Sequence, residues 1–284
     1  MSVDAPSWIG VDWPKHTKRS GGINYVDIGE GPPLVFVHGL GGSWQTWLEN
    51  LPFFARTHRC IAPDLPGFGE SDEMDGEVSM TRYAQVLEEL LGEEGIERCA
   101  VVGNSMGGFI ALEMALKFPV AVDRLVLVSA AVLWQEYRRA RPLVAVAGVT
   151  EGVTGRLLAE AAALLASRPR LRELALQFGG IRAPRKLSLE LQRELVLTAR
   201  RTPGFLPALQ ALASYPLREE LPKIRCPALI VWGDEDPLVG VEHADELARA
   251  MPDARVSIYE RTGHVVQLER PERFNREVAE FLSG

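Results

Sequence analysis

The chain has 284 residues, 46% of them hydrophobic and 24% charged, with a formal net charge of −7. That length and balance fit a globular fold with a sizeable core, and the lack of any run of about 18 uninterrupted apolar residues speaks against a membrane span. The start, MSVDAPSWIGVDWPKH, is acidic and broken by proline, without the apolar centre of a secretion signal, and no cysteines have metal or redox spacing, so a reducing cytoplasm is the expected compartment.

In chain order, INYVDI (23–28) and LVFVHG (34–39) read as strands, followed by an aromatic helix from Ser43 to Arg56. CIAPD (60–64) is a third strand and SMTRYAQVLEELLGEEG (79–95) a helix. CAVVG (99–103) is a buried strand that runs into a glycine-flanked serine and a helix stopped by Pro119, and RLVLVS (124–129) is the next strand. After a long interval come ALIVWG (228–233), a helix at 241–250, RVSIYE (255–260) and a final helix at 271–282. Cys60 and Cys99 open strand-like runs and Cys226 shortly precedes one, which reads as small buried thiols.

The interval 131–220 changes texture. It is rich in Arg, Ala and Leu, reads as helical throughout, and holds 13 Arg and one Lys against eight Glu and no Asp. It therefore carries +6 and leaves −13 to the remainder. Its arginines alternate with Glu at helical spacing, the pattern of a solvated face and not of a nucleic-acid surface. Near-continuous apolar strands alternating with amphipathic helices predict an α/β fold, a mostly parallel central sheet with helices on both faces. Because the strand–helix rhythm resumes after 220, residues 1–130 and 221–284 are expected to form the core and 131–220 a helical cap inserted in it.

In an open parallel sheet the functional groups gather at the carboxyl ends of the strands. There the chain presents Ser105 in VGNSMGG, a cluster of acids in GDEDP (233–237), and His264 in ERTGH. G-x-S-x-G between a strand and a helix is the pattern of a nucleophile elbow. A serine hydroxyl becomes a useful nucleophile when an imidazole removes its proton, and the imidazole needs a carboxylate on its far nitrogen. Asp236 is the preferred carboxylate, since Pro237 biases it to an extended conformation; Asp234 and Glu235 are the alternatives. An oxyanion needs two converging backbone N–H groups. Met106, directly after Ser105, supplies one, and Leu40 in the His38-Gly-Leu-Gly-Gly42 loop the other. His38 reads as a structural hydrogen-bonder before those glycines, and PDLPGFGES (63–71) as a tight loop braced by Asp64, since it lacks the GK[ST] of a phosphate loop. No metal or other cofactor is expected. Trp134, Tyr137, Phe178 and Phe205 are candidates to line the substrate pocket.

With these pieces assembled, the chain resembles the α/β-hydrolase superfamily in its cap-bearing branch. The resemblance is carried by FVHGLGGS (36–43), PDLPGFGES (63–71), VGNSMGG (102–108), WGDEDPLV (232–239) and GHVVQLERPERFN (263–275), and it implies Asp236 as the acid and Leu40 and Met106 as oxyanion donors. It also implies a small-molecule ester or related acyl substrate. Ser105 stands where haloalkane dehalogenases and epoxide hydrolases of this fold carry Asp. GNSMGG is similar to carbon–carbon bond hydrolases of meta-cleavage products, but those usually have a Gly-Pro-Gly-type loop after His-Gly and a Trp after the catalytic His, where this chain has Leu-Gly-Gly and Val265. Serine esterases and cofactor-free haloperoxidases or perhydrolases are similar too. The expectation is a carboxylic-ester hydrolase, with carbon–carbon cleavage second and a non-catalytic ligand-binding member of the fold third.

Overall fold

The computed structural model describes residues 8–131, 164–198, 202–214 and 217–284. Eight strands form one sheet: β1 (Thr17–Ser20), β2 (Ile23–Ile28), β3 (Pro33–Val37), β4 (Arg59–Pro63), β5 (Cys99–Asn104), β6 (Val122–Val128), β7 (Ala228–Gly233) and β8 (Ala254–Tyr259). Their order across the sheet is β1-β2-β4-β3-β5-β6-β7-β8. The first two strands pair antiparallel and β2 is antiparallel to β4, while every pairing from β4 to β8 is parallel. The sequence missed β1, because TKRS is short, polar and at the sheet edge, with no alternation to report it.

Alternate residues of the parallel strands feed two separate cores, as the period-2 geometry of a strand requires. Val35, Val37, Leu125, Leu127, Ile230 and Trp232 enter one, against α1 (Met80–Glu93) and α2 (Met106–Lys117). Leu34, Phe36, Val126, Val128, Leu229 and Val231 enter the other, with Trp47, Phe54 and Phe274. The start of α1 is capped by Ser79, whose hydroxyl accepts from Arg82 N. The aromatic stretch after β3 is not the single helix its composition suggests. It is a 3₁₀ turn at Trp44–Trp47 and a separate helical turn at Leu51–Phe54, with Pro52 unable to donate into a continuous helix.

Between β6 and β7 the described residues are helical: α3 (Pro169–Phe178), α4 (Leu189–Thr198) and α5 (Phe205–Ser214), with no strand among them. One arginine of this basic block departs from the solvated-face reading. Arg172 is buried, donating to Gln192 Oε1 (3.0 Å) and Ala166 O (2.7 Å), so it ties α3 to α4 and to the chain before α3. Two further helices, α6 (Glu242–Ala250) and α7 (Pro271–Ser283), complete the two layers, α6 with the α1–α2 core and α7 with the other. Cys60 and Cys99 are buried, and burial pushes the Cys99 thiol up to about 12; Cys226 is only partly buried. No described helix is long and apolar enough to cross a membrane.

The parallel registers align the carboxyl ends of five strands. Val37 pairs with Gly103, Asn104 with Val128, and Gly233 with Tyr259, while β6 and β7 pair up to Val128 and Val231. The loops after β3, β5, β6, β7 and β8 therefore leave one edge. At its centre, α2 starts hard against the sheet. A Cβ on Gly107 would lie 2.2 Å from Val37 O, and one on Gly103 would lie 2.3 Å from Gly107 O. These neighbours are backbone and cannot step aside. Gly107→Ala should thus lower stability by more than about 2 kcal/mol, read as a drop in the urea midpoint; an unchanged midpoint would show that α2 can shift outward freely.

Candidate active site

Ser105 sits between β5 and α2 with φ 56° and ψ −117°, a region that L residues rarely occupy. Such a conformation costs on the order of 1–3 kcal/mol and persists only where surrounding bonds dictate it. Here Ser105 N donates to Val128 O (2.9 Å), and Ser105 O accepts from Gly108 N (3.0 Å), Phe109 N (3.2 Å) and Ala131 N (3.1 Å). The hydroxyl makes no capping bond to α2, although serine is a favoured cap. It is left for other work.

The three carboxylates after β7 are sorted by their partners. Asp236 Oδ2 lies 2.7 Å from His264 Nδ1, while its Oδ1 accepts from Leu238 N (2.8 Å) and Val239 N (3.0 Å). The Asp236 side chain is fully enclosed and that of His264 is 6% exposed. Asp234 is exposed and accepts from Thr262 N (3.3 Å), and Glu235 pairs with Arg182. With Nδ1–H directed at the carboxylate, Nε2 of His264 is the nitrogen able to take a proton. No hydrogen bond joins Ser105 Oγ to the imidazole; the two residues are linked through Asn104, whose Nδ2 donates to His264 O (3.3 Å) and Val128 O (3.2 Å). Nucleophile–base bonds are often long without substrate.

Met106 is the first residue of α2, so its N–H has no intrahelical acceptor and stands at the positive end of the helix dipole. Leu40 lies in the loop after β3, which packs on the serine: a Cβ on Gly39 would be 3.1 Å from Ser105 Cβ. His38 at the start of this loop is wholly buried. Its Nδ1 donates to Gly39 O (2.8 Å) and its Nε2 accepts from Leu65 N (2.9 Å), so the ring is neutral and both nitrogens are engaged in bracing two loops. Burial holds its pKa below the usual histidine value. Asp64, equally buried, accepts from Trp44 N (2.9 Å), Asn24 Nδ2 (2.8 Å) and Glu70 N (3.0 Å), and so clasps the loop after β4.

Of the described pocket candidates, Phe205 packs on the loop that carries Leu40: a Cβ on Gly41 would lie 3.3 Å from its ring. Phe178, at the end of α3, is 64% exposed. Trp134 and Tyr137 lie outside the described residues. Sequence reasoning passed over three residues that touch the site. Asn104 read as part of the elbow pattern, Gly180 lies far along the chain, and Glu269 stood inside GHVVQLERPERFN without being singled out.

Residues 32–271 match the family described as alpha/beta hydrolase fold. The chain is an α/β-hydrolase. It is 30% identical over 275 residues to a 2-hydroxy-6-oxo-6-phenylhexa-2,4-dienoate hydrolase of Burkholderia cepacia, with 92% of this chain and 91% of the relative covered. Among solved structures it is similar to a meta-cleavage product hydrolase of Pseudomonas fluorescens (TM-score 0.71, 26% identity, 92% and 94% covered). It is likewise similar to a thermophilic esterase of Thermogutta terrifontis (TM-score 0.73, 25% identity, 94% and 96% covered). These relatives thus include a dienoate hydrolase, a meta-cleavage product hydrolase and an esterase.

The buried neutral His38 makes this α/β-hydrolase acid-sensitive in a defined direction. Its folded pKa lies below the unfolded value of 6.5, so its stabilisation is complete above that pH and is lost as pH falls towards the folded value. His38→Gln should be less stable than the unaltered protein at pH 7.5, and the gap in urea midpoint should shrink by pH 5.5. A gap independent of pH would mean that His38 does not titrate differently in the two states.

Proposed function

We propose that the chain is a serine hydrolase that cleaves carboxylic esters of small molecules through an acyl-enzyme, with Ser105 as nucleophile, His264 as base and Asp236 as the carboxylate that orients it. The observation that carries this reading is the 2.7 Å Asp236–His264 bond, its carboxylate pinned by two backbone amides, beside a serine held at positive φ with an unused hydroxyl. In the first step His264 Nε2 takes the Ser105 proton while Oγ attacks the ester carbonyl. The oxyanion is received by the amides of Leu40 and Met106, where fixed dipoles need no reorganisation. The imidazolium, its charge supported by Asp236, gives its proton to the departing alkoxide. Water, deprotonated by the same nitrogen, then releases the acid and frees Ser105. Residues 131–220 act as the cap over this site; the contacts of Phe205 with the Gly41 loop and of Gly180 with His264 support that assignment.

A second reading, hydrolysis of a carbon–carbon bond beside a carbonyl, is favoured by one observation. The dienoate hydrolases, at 30–31% identity, cover more than nine-tenths of this chain. The same constellation would serve, except that the leaving carbon must be protonated before the bond breaks. Nitrophenyl esters of graded acyl length set beside a chromogenic 2-hydroxy-6-oxo-dienoate separate the two. Turnover of the esters with no loss of dienoate absorbance is the expected result; the reverse establishes the second reading.

Ser105→Ala should fold normally, fail to label with a fluorophosphonate probe and lose on the order of 10⁴ in kcat. Retention of a tenth of the original turnover would remove Ser105 from the mechanism. Asp236→Asn should cost several orders of magnitude, since it takes the charged partner from His264, whereas Asp234→Asn should leave kcat within about threefold. The opposite ranking would assign the role to Asp234.

A further inference from the structure

The turn after His264 ends in a carboxylate that the proposed mechanism does not use. Glu269 closes the single helical turn Val266–Glu269 and is buried. Its Oε1 accepts from Gly263 N (2.9 Å), the amide directly before His264. Its Oε2 accepts from Ala183 N (3.3 Å), and the backbone amide of Arg182 also favours the ionised form of this carboxylate. Arg182 and Ala183 belong to the segment between α3 and α4, Ala183 being 86 residues from Glu269 in sequence. Two further contacts run along this seam. His264 N donates to Gly180 O at 2.8 Å, and the Arg182 guanidinium pairs with Glu235, next to Asp236.

The packing leaves no slack. Gly180 adopts φ +89°, and a Cβ there would stand 2.5 Å from His264 Cβ. A Cβ on Gly263 would meet Gly180 O at 2.3 Å and Glu269 Oε1 at 2.8 Å. Both glycines thus let the two loops touch along their backbones. Each Glu269 oxygen takes an amide from a different loop, and because backbone N–H groups can only donate, both places need an acceptor. Burial raises the Glu269 carboxyl pKa, against the three amides that favour its ionised form. A buried carboxylate retained at that electrostatic expense points to a task.

We infer that Glu269 is a positioning residue: its carboxylate fastens the loop carrying His264 to the Gly180–Ala183 segment, so that the imidazole stays in line with Asp236 while that segment is seated. The inference rests on His264 being the base for Ser105. It makes the segment between β6 and β7 part of the base's support as well as a cover. The exposed Arg182–Glu235 pair adds little energy by itself, so the load falls on Glu269.

Glu269→Gln tests this with almost no change in volume. The amide nitrogen of Gln must face one of the backbone donors, which breaks one side of the bridge. Active sites are counted by fluorophosphonate titration, and kcat and KM are measured per site on a short nitrophenyl ester. We expect kcat to fall about 10- to 100-fold, the scale of a small misplacement of a reacting group, with KM within about threefold. The rate of probe labelling should fall in parallel. Glu269→Asp, which keeps both oxygens, should recover part of the loss. Unchanged kcat per site in Glu269→Gln, even with a lower melting temperature, would reduce Glu269 to a structural contact and overturn the inference while leaving the triad intact. If the unaltered protein does not label at Ser105, the triad fails and the inference with it. Should Glu269→Gln not fold, Glu269→Asp decides: the inference requires at least a threefold loss of kcat at unchanged KM, and a normal kcat overturns it.

Discussion

Backbone meets backbone where α2 starts, and the rest of the site depends on that approach. Gly107 lies against the carbonyls at the end of β3, and Gly103 against Gly107, at distances that no side chain could occupy. Seated so close, the helix forces its preceding residue through a tight turn, and Ser105 takes a positive φ. Four backbone hydrogen bonds to β6, to α2 and to Ala131 offset that strain. One constraint therefore lifts the hydroxyl clear of the sheet, aims the first amides of α2 at the strand edge and brings the loop after β3 against Ser105.

The loops that carry Asp236 and His264 achieve their geometry by a similar use of backbone. Asp234 N donates to Tyr259 O, Glu235 N to Thr262 O, and Thr262 N to Asp234 Oδ1, so the loops after β7 and β8 are stitched together along their length. The Asp236–His264 bond is the last contact of that seam. Asp236 is held by two amides of its own turn, and little rotamer freedom remains for it to lose. Precision of this kind comes from groups whose positions are locked before any substrate arrives.

The segment between β6 and β7 joins both arrangements. Phe205 rests on the loop that carries Leu40, and Gly180–Ala183 is bonded to the loop that carries His264. Its own cohesion includes the buried Arg172, which bridges α3 and α4. The segment thus touches the loop that carries His264 and the loop that carries Leu40 together.

Periodicity and punctuation in the sequence determined much of this protein. Apolar runs of strand length alternating with amphipathic helices specify a parallel sheet, because a strand buried on both faces has no polar side to show. The glycines around Ser105, the proline after Asp236 and the glycine before His264 marked the strand ends where chemistry gathers. The β1 edge strand escaped because four polar residues carry no pattern, and the aromatic stretch after β3 was misread because composition hides a helix broken at Pro52. Only tertiary structure gave Asp236, Asp234 and Glu235 their different partners, left Phe178 exposed and buried Arg172. It alone brought Glu269 to Ala183, since a carboxylate's neighbours across 86 residues are set by how layers pack, which no local spacing records.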